Sequence, residues 1–476
     1  GWSPEMARFS SRLTRFLASD DGTMAVGGLI FTVIFLAVGG LAVDVSNAIN
    51  QRAQLQLTAD ATAHDALYTL NSTLTATADE AKSEALALGD YNMPSAVYGQ
   101  VLTASDIEFG VWDRATRHFT PDEDSRSAVR VLTHRDAAGG NEVTTYLLKF
   151  AGFESWDVRT DSVFETYVPD CLREGFVAEN MVDIQSNNAY LNGFCIHSND
   201  VVSLNSNNYF EEGTVVSMPD QSRLDMPASG TRTNEGLTQA LRYGAIQIRL
   251  INALRAVPSS PYATGIAAMW SYIQLATQDG QLAYVTGTPR QITIVNGRPA
   301  PSGASDDQVQ AGRDLLDRAG TLALRSNAVN YVYCSSTSTQ LQIRQLLTDV
   351  VVITNCQISF GTGGALENGL IATLHTGNSS ISGASDTRIG RADNCGEGGG
   401  AQLVSLGGMN FASGISINGG QLIALKEIAF AANGDGLHGT SIISGDTVSG
   451  TSNMRMGLCG TGMGGGLSLD YFRMVE

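Results

Sequence analysis

Positive charge is what this 476-residue chain has least of. It carries 29 Lys and Arg against 47 Asp and Glu, a formal net charge of −18. Lysine occurs only at Lys82, Lys149 and Lys426, and no basic cluster follows Arg8, Arg12 and Arg15 near the start. That argues against a nucleic-acid partner, which needs a basic patch or stripe. Cysteine is missing before Cys171, and no C-x-x-C pair occurs, which argues against a zinc ribbon or a thioredoxin-type centre. H-E-x-x-H, G-x-S-x-G and Walker patterns are absent too. The six histidines are scattered, and no cofactor is expected.

What is present is Gly-, Ser-, Thr- and Asn-rich sequence with few charges, a composition that suits β-rich extracytoplasmic proteins. The length allows two to four domains with real cores. The cysteines are Cys171, Cys195, Cys334, Cys356, Cys395 and Cys459. An even number downstream of a membrane segment reads as three disulfides in an oxidising compartment, with free buried thiols the competing reading.

That membrane segment runs from Met24 to Val43, about twenty nearly apolar residues, enough to cross ~30 Å of hydrocarbon as a helix. A cleaved signal peptide is the alternative: the arginines would form its basic region and Gly40-Leu41-Ala42 its cleavage site. The run is longer than the usual signal core, however, and Asp20 and Asp21 stand directly before it. An anchor is the expectation. The arginines then place residues 1–21 in the cytoplasm and the bulk outside. The lipid bilayer is thus the first expected partner. Gly27, Gly28, Gly39 and Gly40 would allow close helix packing and self-association through this segment.

Beyond the span the pattern stays helical. Leu67, Leu70, Leu74, Ala78, Ala81, Ala85 and Leu88 recur at intervals of three and four, forming one narrow apolar stripe. Gly89 and Pro94 end it, and Asn71-Ser72-Thr73 predicts a kink.

The stretch "GTMAVGGLIFTVIFLAVGGLAVDVSNAINQRAQLQLTADATAHDAL" resembles the N-terminal segment of Tad (tight adherence) pilus-assembly proteins of the TadE/TadG type. The matching features are Val43-Asp44 at the end of the span, Leu55-Gln56, and an Ala- and Asp-rich run holding Asp60 and Asp65. Residues 92–168 resemble the continuation seen in TadG-like proteins. The resemblance implies a non-catalytic, inner-membrane-anchored periplasmic component of Tad/Flp pilus assembly or anchoring, in a minor pilin-like or scaffold role. Other pilus-assembly or pilin proteins would be its partners. Some TadG-like proteins carry a von Willebrand A domain with a D-x-S-x-S metal site. Here the nearest match is Asp44-x-Ser46-x-Ala48, so neither that domain nor its metal is expected.

Four β-like runs follow the helix: "DIEFGVW", "SAVRVLT", "EVTTYLLKF" and "WDVRTDSVFETYV". Then "SNNAYLNGFCI" (186–196) repeats as "SNNYFEEGTVV" (206–216), twenty residues on. "QLVSL" (402–406) repeats as "QLIAL" (421–425), nineteen residues on, and "GLIATL" (369–374) is a looser relative. Such periods predict coils of a parallel β-helix whose stacked asparagines bond from coil to coil. A Gly/Asn-rich sandwich is the rival.

The predicted fold class is therefore α+β/β: a single transmembrane helix extending into a long helix, a small antiparallel pilin-like sheet, and a parallel β-helix-like domain with a helical insertion. The expected divisions are a cytoplasmic N-terminus (1–21), the transmembrane helix (22–44), a long periplasmic helix (45–91) and a small α+β region (92–170). A β-helix-like block (171–218), a helical and loop insertion (219–333) and a Gly/Asn-rich β-helix-like block (334–476) follow. In the insertion, "NEGLTQALRYGAIQIRLINALRAV" (234–257), with Leu237, Leu241, Ala245, Ile248 and Ile251 on one face and a stop at Pro258, and Asp306 to Arg325 read as helices.

Candidate chemistry is sparse. Cys195-Ile196-His197 could begin a metal site, but a strand supplies no further ligands there. "GTGMGGG" (460–466) lacks a following helix. "NGDGLHGT" (433–440), with Asp435 and His438, faintly resembles turns of β-helical polysaccharide hydrolases, yet no second carboxylate stands in a matching coil. The alternative function is accordingly a membrane-tethered β-helical surface protein that binds or cleaves polysaccharide. Pairing the cysteines by sequence neighbours gives Cys171–Cys195, Cys334–Cys356 and Cys395–Cys459, one of fifteen connectivities.

Overall fold

The computed structural model describes residues 21–277, 282–295, 298–300, 324–336, 338–393, 396, 398–431, 437–450, 452–457, 459 and 466–475. They form two units: one up to Tyr167 that takes the chain back at Phe472, and one from Val168 to Tyr471.

The first unit starts with a helix over Asp21–Leu70, long and apolar enough to cross a membrane. Its environment changes along its length. Val26, Leu29, Ile30, Phe31, Val33, Ile34, Phe35, Val38, Leu41 and Val43 are exposed. Leu55, Ala59, Ala63, Ala66, Leu67 and Leu70 are buried instead. Their three- and four-residue spacing puts them on one face, packed on Ala81, Ala85, Ile107, Phe109, Val129 and Val131.

The expected kink is a full break. Asn71 closes back on the Leu67 carbonyl, and the Arg126 guanidinium donates to the carbonyls of Leu70 (2.6 Å), Thr73 (3.2 Å), Leu74 (3.4 Å) and Ala76 (2.5 Å). The Leu70 carbonyl is one that a helix end leaves without an intrahelical partner, and the other three belong to the connection between the helices. A second helix, Ala78–Asn92, restarts on a capping box in which Thr77 and Glu80 bond each other's backbone N–H.

The sheet is five-stranded, in the order His118–Pro121, Ile107–Asp113, Ala128–Arg135, Val158–Tyr167, Tyr471–Met474. Three of the four predicted β-like runs supply its strands. "EVTTYLLKF" does not: only Val143–Thr144 is extended, and Leu148–Ala151 is a 3-10 turn. The last strand lies beside Val158–Tyr167, so the whole second unit is inserted between two neighbouring strands of this sheet. Glu165, buried, holds that return by accepting from Arg473 (2.8 Å) and also from Arg114 (3.0 Å).

The second unit is a solenoid of parallel strands in three stacks. Gly175, Cys195 and Val215 lie one above another, as do Met181 with Val201 and Ala189 with Tyr209. Gln402 lies over Gln421 and Leu370 over Gln402, so the two "QL" repeats and "GLIATL" are successive rungs.

The two predicted β-helical blocks make one continuous stack. Strand Ser441–Ser444 pairs with Gly175–Ala178, and Thr447–Gly450 with Met181–Ile184. The chain thus enters the solenoid in its middle and winds to one end at Leu241–Tyr243. It returns along the outside and winds in again from Arg290–Val295. The outside return is made by helices Arg249–Arg255 and Tyr262–Ala276. They bury Leu250, Ile251, Leu254, Met269 and Ile273 on the outward residues Val351, Leu370, Val404, Ile423 and Ile443.

Two expectations change here. The helix predicted over 234–257 is split into Leu237–Ala240 and Arg249–Arg255, because Leu241–Tyr243 is taken as the last rung of the stack. The stretch 219–333 also contributes solenoid strands, Arg290–Val295 and Ala328–Cys334. Most of the helix predicted over Asp306 to Arg325 lies outside the described residues.

Candidate anchoring site at the end of the apolar helix

Asp44 directly follows Val43, the end of the exposed apolar run, yet it is buried. Its carboxylate accepts three backbone N–H bonds, from Tyr146 (2.6 Å), Leu147 (3.0 Å) and Leu148 (2.7 Å). Successive N–H groups turned to one point make an anion nest, and here an internal carboxylate fills it. This explains the fate of "EVTTYLLKF": the donors a strand would use in a ladder are used on Asp44.

One turn earlier, a Cβ at Gly40 would stand 3.1 Å from Leu147 Cβ and 3.3 Å from Leu148 Cδ2, so glycine lets the loop lie against the helix. Gly27, Gly28 and Gly39 have open space around them. Of the other motif residues, Leu55 is in the core. Gln56 donates to Asp60 (2.9 Å) and to the Asp161 carbonyl (2.9 Å), tying the helix to the sheet. Asp65 is half-buried on the same helix.

Several buried polar residues of the solenoid are occupied with one another. Asn188, Asn208 and Asn234 form a buried ladder, Asn188 donating to Asn208 (3.0 Å) and Asn208 to Asn234 (3.2 Å). Asn187 and Asn207 precede the first two at φ 65°, the left-handed corner that asparagine tolerates. Asn234 carries no repeat signal in the sequence because it falls 26 residues after Asn208, outside the twenty-residue period. Tyr190 stacks on Phe210 at 5.0 Å inside the coil.

His197 lies between Ser217 (Nδ1 to Oγ 2.7 Å) and Asn199 (Nε2 to Oδ1 3.0 Å). The trio has the residue types of a nucleophile, base and orienting amide. It is shut away, with His197 fully buried, and burial pulls its imidazole below the ordinary value. Asn199 also bonds both backbone groups of Ile246, so the trio fastens the return segment to the solenoid.

Cys171–Cys195 and Cys334–Cys356 are disulfides. Cys459 is also disulfide-bonded, and Cys395 lies outside the described residues. Asp435 is outside them as well, while His438 is exposed in the short strand Leu437–His438. Among the described residues no group of three or more His, Cys, Asp or Glu could hold a metal ion.

The N-terminal unit is thus an apolar helix, long enough to cross a membrane, that runs unbroken into the core of a small antiparallel sheet. Family models agree on this unit: residues 22–68 match one described as Flp pilus-assembly TadE/G-like, and residues 50–163 one described as Tad-like Flp pilus-assembly. The chain belongs to the family described as Domain of unknown function (DUF7867), whose model matches residues 175–460 and so covers the solenoid. No curated protein matches it. Among solved structures, the competence-associated pilin ComZ from Thermus thermophilus aligns at 9% identity, over 88% of this chain and 98% of that one. Its TM-score is 0.28, too low to carry an argument.

Proposed function

We propose that this protein is a non-catalytic component of Tad/Flp pilus assembly or anchoring, in a minor pilin-like or scaffold role. Its N-terminus would lie in the cytoplasm and both folded units in the periplasm. The observation that carries the reading is the division of labour along the chain. The apolar helix and its sheet form the Tad-like unit, and a rigid solenoid is carried as an insertion in that sheet. Self-association or partner association through Gly27, Gly28 and Gly39 fits the open space around them. The buried Asn ladder and the closed His197 trio give the solenoid's polar residues structural tasks, which favours a contact surface over a hydrolase.

Pull-down of the full chain from detergent-solubilised membranes tests this. Recovery of Tad pilus-assembly or pilin proteins is the expected result. Recovery of glycans alone would move the reading to a membrane-tethered polysaccharide-binding or polysaccharide-cleaving protein.

A further inference from the structure

The loop pinned by Asp44 exposes an apolar surface that the fold does not explain. Tyr146 is 58% exposed, Phe150 74% and Phe153 64%. Among the described residues, every exposed phenylalanine lies either in the apolar span (Phe31, Phe35) or in this loop (Phe150, Phe153). Lys149, one of only three lysines in the chain, sets its ammonium 5.6 Å from the Phe150 ring centroid. Tyrosine is enriched where hydrocarbon meets headgroups, phenylalanine supplies apolar area to segments that lie in that boundary, and lysine reaches its ammonium up to the headgroups.

The loop's height follows from its attachment. It is bonded to Asp44 and packs on Gly40, the last turn of the exposed apolar run. That run, Met24 to Val43, is ~30 Å long at 1.5 Å per residue, the thickness of the hydrocarbon core. A loop fixed to its final turn therefore stands at the membrane boundary.

We propose that Tyr146–Phe153 is a second membrane contact, seated in the headgroup boundary of the leaflet where the span ends. Tyr146, Phe150 and Phe153 enter the interface, and Lys149 faces the lipid phosphates. The contact fixes the height and tilt of the folded unit on the bilayer, which a single helix leaves free to vary. It rests on reading the helix as a membrane span, and the test separates the two.

The full chain would be placed in vesicles of phosphatidylethanolamine and phosphatidylglycerol. Nitroxide labels would be attached singly at V33C, F150C, F153C and D122C, and their collision rates measured with oxygen and with a water-soluble nickel complex. Oxygen should dominate strongly at 33, and less strongly but still clearly at 150 and 153. The nickel complex should dominate at 122. F153C carries the measurement if F150C misfolds. Labels at 150 and 153 that behave like 122 while 33 reports lipid overturn the proposal and leave the span intact. Exclusion of both reagents at 150 and 153 overturns it in favour of a protein partner on the loop. A water-exposed 33 removes the span and the proposal together.

Discussion

Asp44 is the residue on which the N-terminal unit's local geometry turns. With alanine there, the N–H groups of Tyr146, Leu147 and Leu148 lose their acceptor, and the loop has no reason to leave the extended state. Asp44→Ala should speed amide exchange at 146–148 sharply, while Asp44→Asn, which keeps one acceptor oxygen, should give an intermediate rate. Unchanged exchange in both would show that the loop is held by something else.

His197 gives a second test at this scale. Burial holds it neutral in the fold, while an unfolded histidine titrates near ~6.5. The depressed value means that its contribution is complete above that pH and is lost as pH falls below it, toward the folded value. The urea midpoint of the solenoid should therefore drop on acidification, and His197→Gln should flatten that part of the curve. A wild-type midpoint indifferent to pH below ~6.5 would contradict the assignment.

At the scale of elements, the helix break is set by Arg126 and not by weak helix formers alone. Arg126→Ala removes the donor to four carbonyls and should destabilise the N-terminal unit by about 2 kcal/mol. The solenoid's own unfolding transition should stay where it is, as two transitions in calorimetry would show.

Elements were readable from the chain where the signal is local. The span, the three-four stripe from Leu67, the alternation of Ile107 and Phe109, and the twenty-residue Asn repeat each follow from neighbours in sequence. What stayed hidden depends on distant partners. "YLLKF" has strand composition, and only Asp44, about a hundred residues earlier, turns it into a loop. Leu237 to Ile251 has a helical stripe, but the free edge of the strand Val215–Met218 takes three of its residues as a rung. The candidate site was legible in its motif residues and not in its geometry: Val43-Asp44 marks the place, and nothing nearby announces the N–H groups that meet it.

At the scale of the molecule, the fusion of the two repeat blocks is the largest feature that no local pattern discloses. Phe176 stacks under Ile442 in the middle of one solenoid, although 266 residues separate them in sequence. A charge at that junction should loosen rungs on both sides. In Ile442→Asp, amide exchange should rise in Cys195–Ser198 and in Gly420–Ala424 alike. A rise confined to one side would mean that the two blocks are independent bodies. Because the chain enters and leaves the solenoid at this junction, the whole stack can be carried as an insertion in the sheet without disturbing either of its ends.

In the proposed role this molecule serves the pilus without turning over a substrate. The most direct measurement is a count of surface-attached Flp pili on cells lacking the protein, then on cells given back either the natural chain or an Asp435→Asn, His438→Gln double variant. The account predicts loss of attached pili in the deletion and full restoration by both chains. Normal pili without the protein, or restoration by the natural chain but not by the folded, membrane-located double variant, would contradict it.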